Sequence, residues 1–293
     1  MTNRLRLGLP KGSLEEATLR LFERAGYTLN GGERTYVLAC SCPELKPILL
    51  RAQEIPTCVA HGTLDAGISG LDCIRDARAD VVEVADLPYA RRGPGVYRWV
   101  VAVPQASAIR TPADLAGKAI ATELVHVADD YLARLSIHAT VVPSRGATEA
   151  KLMLGLADAI IEGTETGATL AEHRLRIVDD VLASTPRLMA NHGCVADQWK
   201  WAQLKTLGQL LRGALTAMGK VLLKFNIPAA ALAQVVPHLP AVQEPTVGVL
   251  RDPWWRAVET VVDRDEVHRL VPALLAAGAT GILECPVTKI ITP

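Results

Sequence analysis

The stretch Glu149-Ala-Lys-Leu-Met-Leu-Gly155-Leu-Ala157-Asp158-Ala-Ile160-Ile-Glu162-Gly-Thr-Glu-Thr166-Gly167-Ala-Thr169-Leu170 carries the most decisive pattern in this chain. It reads as a short buried strand (Ala159, Ile160, Ile161), an acid at the strand's end, a turn rich in glycine and threonine, and a helix starting near Thr169. That order suits a sugar phosphate. Glycine lets the backbone approach an anion, successive N–H groups and the positive helix end favour phosphate, and threonine hydroxyls add donors. The carboxylate of Glu162, just before the turn, then accepts hydrogen bonds from ribose hydroxyls. An ordinary strand-to-helix turn with a threonine N-cap shows the same local pattern, so the turn alone leaves both readings open.

The same rhythm recurs outward from this segment. Leu5, Leu7 and Leu9 alternate and stop at Pro10, as in a strand; Ser13 with Glu16 then forms a capping-box pattern. Leu14, Ala17, Leu21, Phe22 and Ala25 fall on one helical face until Gly26. Lys11 and Gly12 therefore sit in a strand-to-helix turn, the place where open α/β sheets bind ligands. Further strand, turn and helix units are expected at Ala66–Ile68 before Gly70 and Asp72, at Ala119–Ala121 before Thr122, and at Thr140–Val142 before Gly146, while Thr111-Pro112 opens a short helix. Arg91-Arg92-Gly93-Pro94-Gly95 reads as a crossing, followed by a buried strand at Tyr97–Val103. Two α/β lobes follow: residues 1–90, with a return of the chain at about 181–205, and residues 91–180.

The pattern changes after Asp197. Leu204, Leu207, Leu211, Leu215, Met218 and Leu222 recur at three and four residues, which predicts one long amphipathic helix reaching about Asn226. Its glycines, each costing about 1 kcal/mol relative to alanine, are candidate interruptions. Beyond it the expected order is helix (Pro228–Val236), strand (Thr246–Leu250), strand (Arg256–Val262), helix (Asp265–Ala277) and strand (Gly281–Ile291). This suits a small antiparallel sheet with helices on one face, as a third region over 206–293.

With 293 residues, 49% of them hydrophobic, the chain has material for two or three domains. Its 31 basic and 31 acidic residues balance, which argues against nucleic acid as a bulk electrostatic partner. Six cysteines without a Cys-x-x-Cys pair, and no apolar leader before the first strand, read as reduced thiols in a cytoplasmic protein. Cys40 and Cys42, with His61 downstream, are read as alternation along one strand in preference to metal ligation, and no metal site of the protein's own is expected. No apolar run reaches the ~18 residues of a membrane span, and the seven histidines are spread singly.

Across the whole segment the spacing closely resembles the signature of the ATP phosphoribosyltransferases, the first enzymes of histidine biosynthesis, with Glu162 where that family has Asp. Leu9-Pro10-Lys11-Gly12, Glu54-Ile55-Pro56, Asp65 to Asp72, Arg98 to Pro104, Gly117 to Thr122 and Pro245-Thr246 resemble further blocks in the family's order. The resemblance implies a two-lobed, hinged, periplasmic-binding-protein-like core and, as in the long form, a C-terminal ACT-like, ferredoxin-like domain. It implies ATP and phosphoribosyl pyrophosphate as substrates and Mg²⁺ carried by the pyrophosphate, with no acid or base required of the protein. Lys11, Gly12, Arg51, Gly70, Asp72, Arg98, Glu149, Glu162, Thr166, Gly167, Ala168 and Thr169 match its substrate-binding blocks. Asn226, Val242, Thr246, Val261 and Gly281 match its regulatory histidine pocket. A homo-oligomer, dimer to hexamer, is implied, and no separate regulatory subunit.

Some positions depart from the family. Ser13 replaces a usual arginine, Glu123-Leu124-Val125 replaces a Lys or Ser followed by Tyr-Pro, and Asn226 replaces an Asp, from which weak histidine inhibition is expected. Gly163 is expected to give the turn the slack that accommodates the longer Glu162. Three other readings stand beside this one: a solute-binding protein of the same two-lobed fold, a nucleobase phosphoribosyltransferase of the other common fold, and a catalytically impaired regulatory paralogue. The first predicts a secretory leader. The second predicts two adjacent acids before the turn, where Ile161 precedes Glu162.

Overall fold

A computed structural model describes residues 3–31, 35–90, 93–235, 239 and 244–291. The chain divides into two compact units, Met1–Arg212 and Gly213–Pro293. The first unit begins with β1 (Leu5–Lys11), α1 (Glu15–Ala25), the short β2 (Leu29–Asn30) and β3 (Ala39–Cys40), β4 (Leu45–Arg51), α2 (Ile55–Ala60), β5 (Ala66–Gly70), α3 (Leu71–Asp76) and β6 (Val82–Asp86). A hairpin of β7 (Tyr89–Ala90) and β8 (Gly93–Pro94) leads into β9 (Tyr97–Pro104), β10 (Ala119–Thr122), α4 (Val125–Arg134), β11 (Thr140–Pro143), α5 (Thr148–Met153), β12 (Ala159–Thr164), α6 (Ala168–Glu172) and β13 (Leu175–Ser184). β14 (Pro186–Ala190), α7 (His192–Ala196) and α8 (Gln198–Thr216) follow.

Two five-stranded sheets share one plan. Their orders are β4-β1-β5-β14-β6 and β11-β10-β12-β9-β13. In each, three parallel strands are extended by an antiparallel strand from elsewhere in the chain: β14 beside β5, and β9 beside β12. The chain leaves the second sheet at Ser184 and rejoins the first at Pro186. Both faces of the central strands are covered. Leu5, Leu7 and Leu9 are fully buried, and a Cβ on Gly8 would lie 2.6 Å from Leu64 Cδ1 and 3.1 Å from Ile55 Cγ2, so any side chain there would have to displace this packing. In the second sheet Trp99, Val101, Ile120 and Ile161 pack with α4 on one face, while Val100, Ala102, Ala121, Ile160 and Leu170 pack on the other.

The second unit contains β15 (Lys220–Pro228), α9 (Leu232–Val235), β16 (Thr246–Val249), β17 (Trp255–Asp263), α10 (Val267–Ala276) and β18 (Thr280–Pro286). Its sheet order, β16-β17-β15-β18, is antiparallel throughout and ferredoxin-like. Phe225, Ile227, Val258 and Leu274 form its core with the helices on that side.

Several expectations are corrected. The long helix stops at Thr216; residues 220–228 are a strand, because Val221, Leu223, Phe225 and Ile227 alternate into the core and Gly219 turns the chain at φ +75°. Ser13 caps nothing: α1 starts at Glu15, whose own carboxylate accepts the Gly12 N–H. Pro228 belongs to β15, and the last strand ends at Pro286. Cys42 lies beyond β3. Arg51 ends β4. Arg91, Arg92 and Val236 lie outside the described residues.

Candidate active site

β12 is longer than its apolar run, because β9 continues to pair with it: Glu162 faces Val100, Gly163 faces Trp99 and Thr164 faces Arg98. Glu162 and Gly163 are thus strand residues. The expected slack at Gly163 is absent, since a Cβ there would sit 2.1 Å from Tyr97 Cε1. The turn proper runs from Thr164 to Ala168. Gly167 adopts φ +81°, its N–H donates to Thr164 Oγ1 (2.7 Å), and the Ala168 N–H reaches Thr166 Oγ1 (3.4 Å). Thr169 lies in the first turn of α6, so hydroxyls and backbone N–H groups cluster at one strand end.

Glu162 is poised beside this turn in a crowded acidic setting. Burial raises its carboxyl above the ordinary range, and Glu123 and Glu149 add to the rise, while the Gly163 N–H and the Thr148 hydroxyl oppose it. Thr148 is buried, with its hydroxyl oxygen 3.1 Å from Ser144 Oγ at the start of α5. Glu149 follows it, 3.9 Å from His173 Nε2. Asp158 is structural: its carboxylate accepts the Ala119 N–H (2.9 Å), pinning β10 to β12.

The other matched residues lie at the ends of the first sheet and at its junction with the second. Lys11 and Arg51 are register partners at the carboxyl ends of β1 and β4, with Lys11 Nζ 4.5 Å from the centre of the Tyr36 ring. Gly12 adopts φ +102°. Gly70 precedes α3 and leaves room for Asp72, whose Oδ1 would lie 2.0 Å from a Cβ on that glycine. Asp72 accepts from Ser184 Oγ (2.7 Å) and from Trp99 Nε1 (2.8 Å), so its carboxylate ties α3 to β9 and β13. Arg98 is held by Asp180 (3.1 Å).

Between these elements lies a cleft of about 230 Å³, lined among others by Gln53, Thr57, Asp72, Asp76, Trp99 and Glu123. Of the matched residues it takes in only Asp72. Gln53, Thr57, Asp76, Trp99 and Glu123 had not been singled out as site residues. Glu123 was the one with a signal, since it follows Thr122 at the carboxyl end of a parallel strand. Among the described residues no group of three or more His, Cys, Asp or Glu is arranged to hold a metal, and Cys42 Sγ instead contacts Glu44.

The family profile described as ATP phosphoribosyltransferase (HisG) matches residues 51–213, and the HisG C-terminal domain matches residues 217–289. The chain belongs to the ATP phosphoribosyltransferase family. It is 46% identical over 291 residues to the ATP phosphoribosyltransferase of Chlorobium phaeobacteroides, covering 99% of each chain. With that of Desulforudis audaxviator the identity is 49%, over 98% of this chain and 99% of the relative. Among solved structures, the ATP phosphoribosyl transferase (HisG:HisZ) complex from Thermotoga maritima superposes with a TM-score of 0.60 at 24% identity, over 71% of this chain and 98% of that one.

As an ATP phosphoribosyltransferase, the chain transfers the phosphoribosyl group of phosphoribosyl pyrophosphate to ATP, giving phosphoribosyl-ATP and pyrophosphate in the first step of histidine biosynthesis. A bond from a ring nitrogen to the anomeric carbon forms as the carbon–oxygen bond to pyrophosphate breaks. In the second unit, Asn226, Thr246 and Val261 share the sheet face opposite the core, since their register partners Ala257, Glu259 and Leu222 alternate with buried Val258, Thr260 and Val221. Gly281 adopts φ +61° beside Asn226 Nδ2, and Val242 lies outside the described residues. Among the described residues no helix is long and apolar enough to cross a membrane.

Proposed function

We propose that the phosphoribosyl donor binds at the end of β12, its 5′-phosphate on Thr166, Gly167, Ala168 and Thr169 and its ribose hydroxyls on Glu162, with Glu149 behind. The turn from Thr164 to Ala168 carries this reading: it combines a glycine at φ +81° with two threonine hydroxyls at a helix start. Lys11, Gly12 and Arg51 receive the pyrophosphate or ATP phosphates, and Gly70, Asp72 and Arg98 line the approach between the sheets. Catalysis is then positioning and charge neutralisation rather than proton transfer. Mg²⁺ enters chelated by the pyrophosphate and stabilises it as a leaving group; the negative surroundings of Glu162, with Glu123 and Glu149 acting on it, favour a cation there. Titration of Thr166→Ala with phosphoribosyl pyrophosphate and Mg²⁺ tests the placement: about tenfold weaker binding is expected, and wild-type affinity counts against it.

The domain plan of lobes 1–90 and 91–180, a return over 181–205 and a regulatory region over 206–293 belongs to the same reading, as do hinged lobe closure, a cytoplasmic location and a dimer-to-hexamer assembly without a separate regulatory subunit. Histidine is the proposed inhibitor, held on the open face of the C-terminal sheet by Asn226, Thr246, Val261 and Gly281. An amide at Asn226 offers no charge to a ligand ammonium group, so histidine binds weakly. Calorimetric titration with histidine should accordingly give no micromolar affinity.

A further inference from the structure

We infer that Tyr97 is a substrate-binding residue that donates a hydrogen bond from its hydroxyl to the ribose of the phosphoribosyl donor at the end of β12; this rests on the placement proposed above. The ring is fixed from behind. Asp72 holds the Trp99 indole through Nε1 (2.8 Å), and the Trp99 edge meets Tyr97 at 77° with 5.9 Å between ring centres. In front, the phenol lies on bare backbone. A Cβ on Gly163 would fall 2.1 Å from Tyr97 Cε1 and 2.5 Å from its hydroxyl oxygen, so the missing side chain of Gly163 makes the space the ring occupies.

The setting of the hydroxyl gives it a task. Tyr131 donates to Asp179 and Tyr89 pairs with Thr18, whereas the Tyr97 phenol has no hydrogen-bond partner among the described residues. The charges that act on it are all carboxylates, Glu162 most strongly, then Asp72, Glu165 and Glu123. Burial first, and these carboxylates after it, push its pKa up to about 12, so the group is a neutral donor. Carboxylates accept hydrogen bonds and donate none, whereas a ribose hydroxyl offers both a proton and lone pairs. In the placement proposed above Glu162, on the Val100 face of the sheet, accepts the proton; the lone pairs need a donor at the same strand end, and Tyr97 supplies one from the Trp99 face.

The experiment is calorimetric titration of the full chain with phosphoribosyl pyrophosphate and Mg²⁺, alongside steady-state kinetics. Tyr97→Phe keeps the ring and its contacts with Trp99 and Gly163. Affinity for phosphoribosyl pyrophosphate should fall about three- to tenfold, with the KM for ATP and the melting temperature unchanged. Gly163→Ala, which displaces the ring, should weaken the donor further. Wild-type affinity in Tyr97→Phe overturns the assignment. If Thr166→Ala binds weakly in the same series, only the role of Tyr97 is lost; if it too binds normally, the phosphoribosyl site lies elsewhere and both readings fall.

Discussion

The turns after β1 and after β12 are built alike and equipped differently. Each follows a parallel strand at its carboxyl end, each leads to a helix, and each carries a glycine at positive φ, Gly12 at +102° and Gly167 at +81°. A Cβ on either glycine would meet nothing within 4 Å. The difference lies in what the glycine N–H meets. At Gly167 it is a neutral threonine hydroxyl; at Gly12 it is the Glu15 carboxylate, an anion of the protein's own. A shared backbone shape therefore does not make two equal phosphate sites. In the reading proposed above, an anion at the first turn displaces or shares with Glu15, whereas at the second it takes the Gly167 and Ala168 N–H groups from threonine hydroxyls.

The comparison is broken most severely at the glycines. A Cβ meets nothing within 4 Å at either glycine, and valine at positive φ strains the backbone at both by about 1–3 kcal/mol, so a marked excess loss at one of them reports function. Gly167→Val should lower kcat/KM for phosphoribosyl pyrophosphate about 100-fold, since a shift of ~1 Å in the turn misaligns the donor. Gly12→Val should cost about tenfold or less. Equal losses in the two variants would remove the functional distinction between the turns.

Glu162→Gln comes next. The longer acid takes no slack from Gly163, which is locked under Tyr97, so its reach is set by β12 itself. Losing the charge should reduce kcat/KM for the donor about 10- to 100-fold, as for a charge-assisted hydrogen bond. Stability moves the other way. Burial holds the carboxyl above its ordinary pKa, so the folded chain binds this proton more readily than the unfolded one. The charged form therefore destabilises the fold above the folded-state pKa, and that burden fades as pH falls through it. The variant should melt above wild type at pH 7, with the gap closing in acid; a lower melting temperature at pH 7 would show the charge to be stabilised in place.

How much of this was legible beforehand follows from what periodicity can see. The α/β rhythm, the turns at Gly12 and Gly167 and the antiparallel character of the C-terminal sheet were readable because alternation and glycine are local signals, while its ferredoxin-like plan came from the family resemblance. The end of β12 was not, because Glu162, Gly163 and Thr164 are strand only through pairing with β9, sixty residues earlier in the chain. β15 was misread for a related reason: Leu222 and Met218 continue a helical spacing, and only the core that takes up Val221, Leu223, Phe225 and Ile227 decides for period two. Ser13 and Glu16 matched a capping box by type, yet the contact that forms lies one residue earlier, from the Gly12 N–H to the Glu15 carboxylate. Asp72 matched a ligand block, while its contacts to Ser184 and Trp99 depend on residues far apart in sequence.

The smallest expected effect tests the comparison most directly. Glu15 is half-buried, its contact to the Gly12 N–H is 3.2 Å, and it lies in the first turn of α1, where a carboxylate is worth roughly 0.3–1 kcal/mol to the helix. Glu15→Gln keeps an acceptor for the N–H and removes the charge. If Glu15 competes with a substrate phosphate at Gly12, the variant should bind triphosphate two- to threefold more tightly in low salt, with the gain shrinking as salt screens both charges. The same change should leave phosphoribosyl pyrophosphate bound at the Gly167 turn unaffected. Tighter binding of both ligands would point to a general change in charge, and weaker triphosphate binding would mean that Glu15 orders the turn for its ligand instead of guarding it.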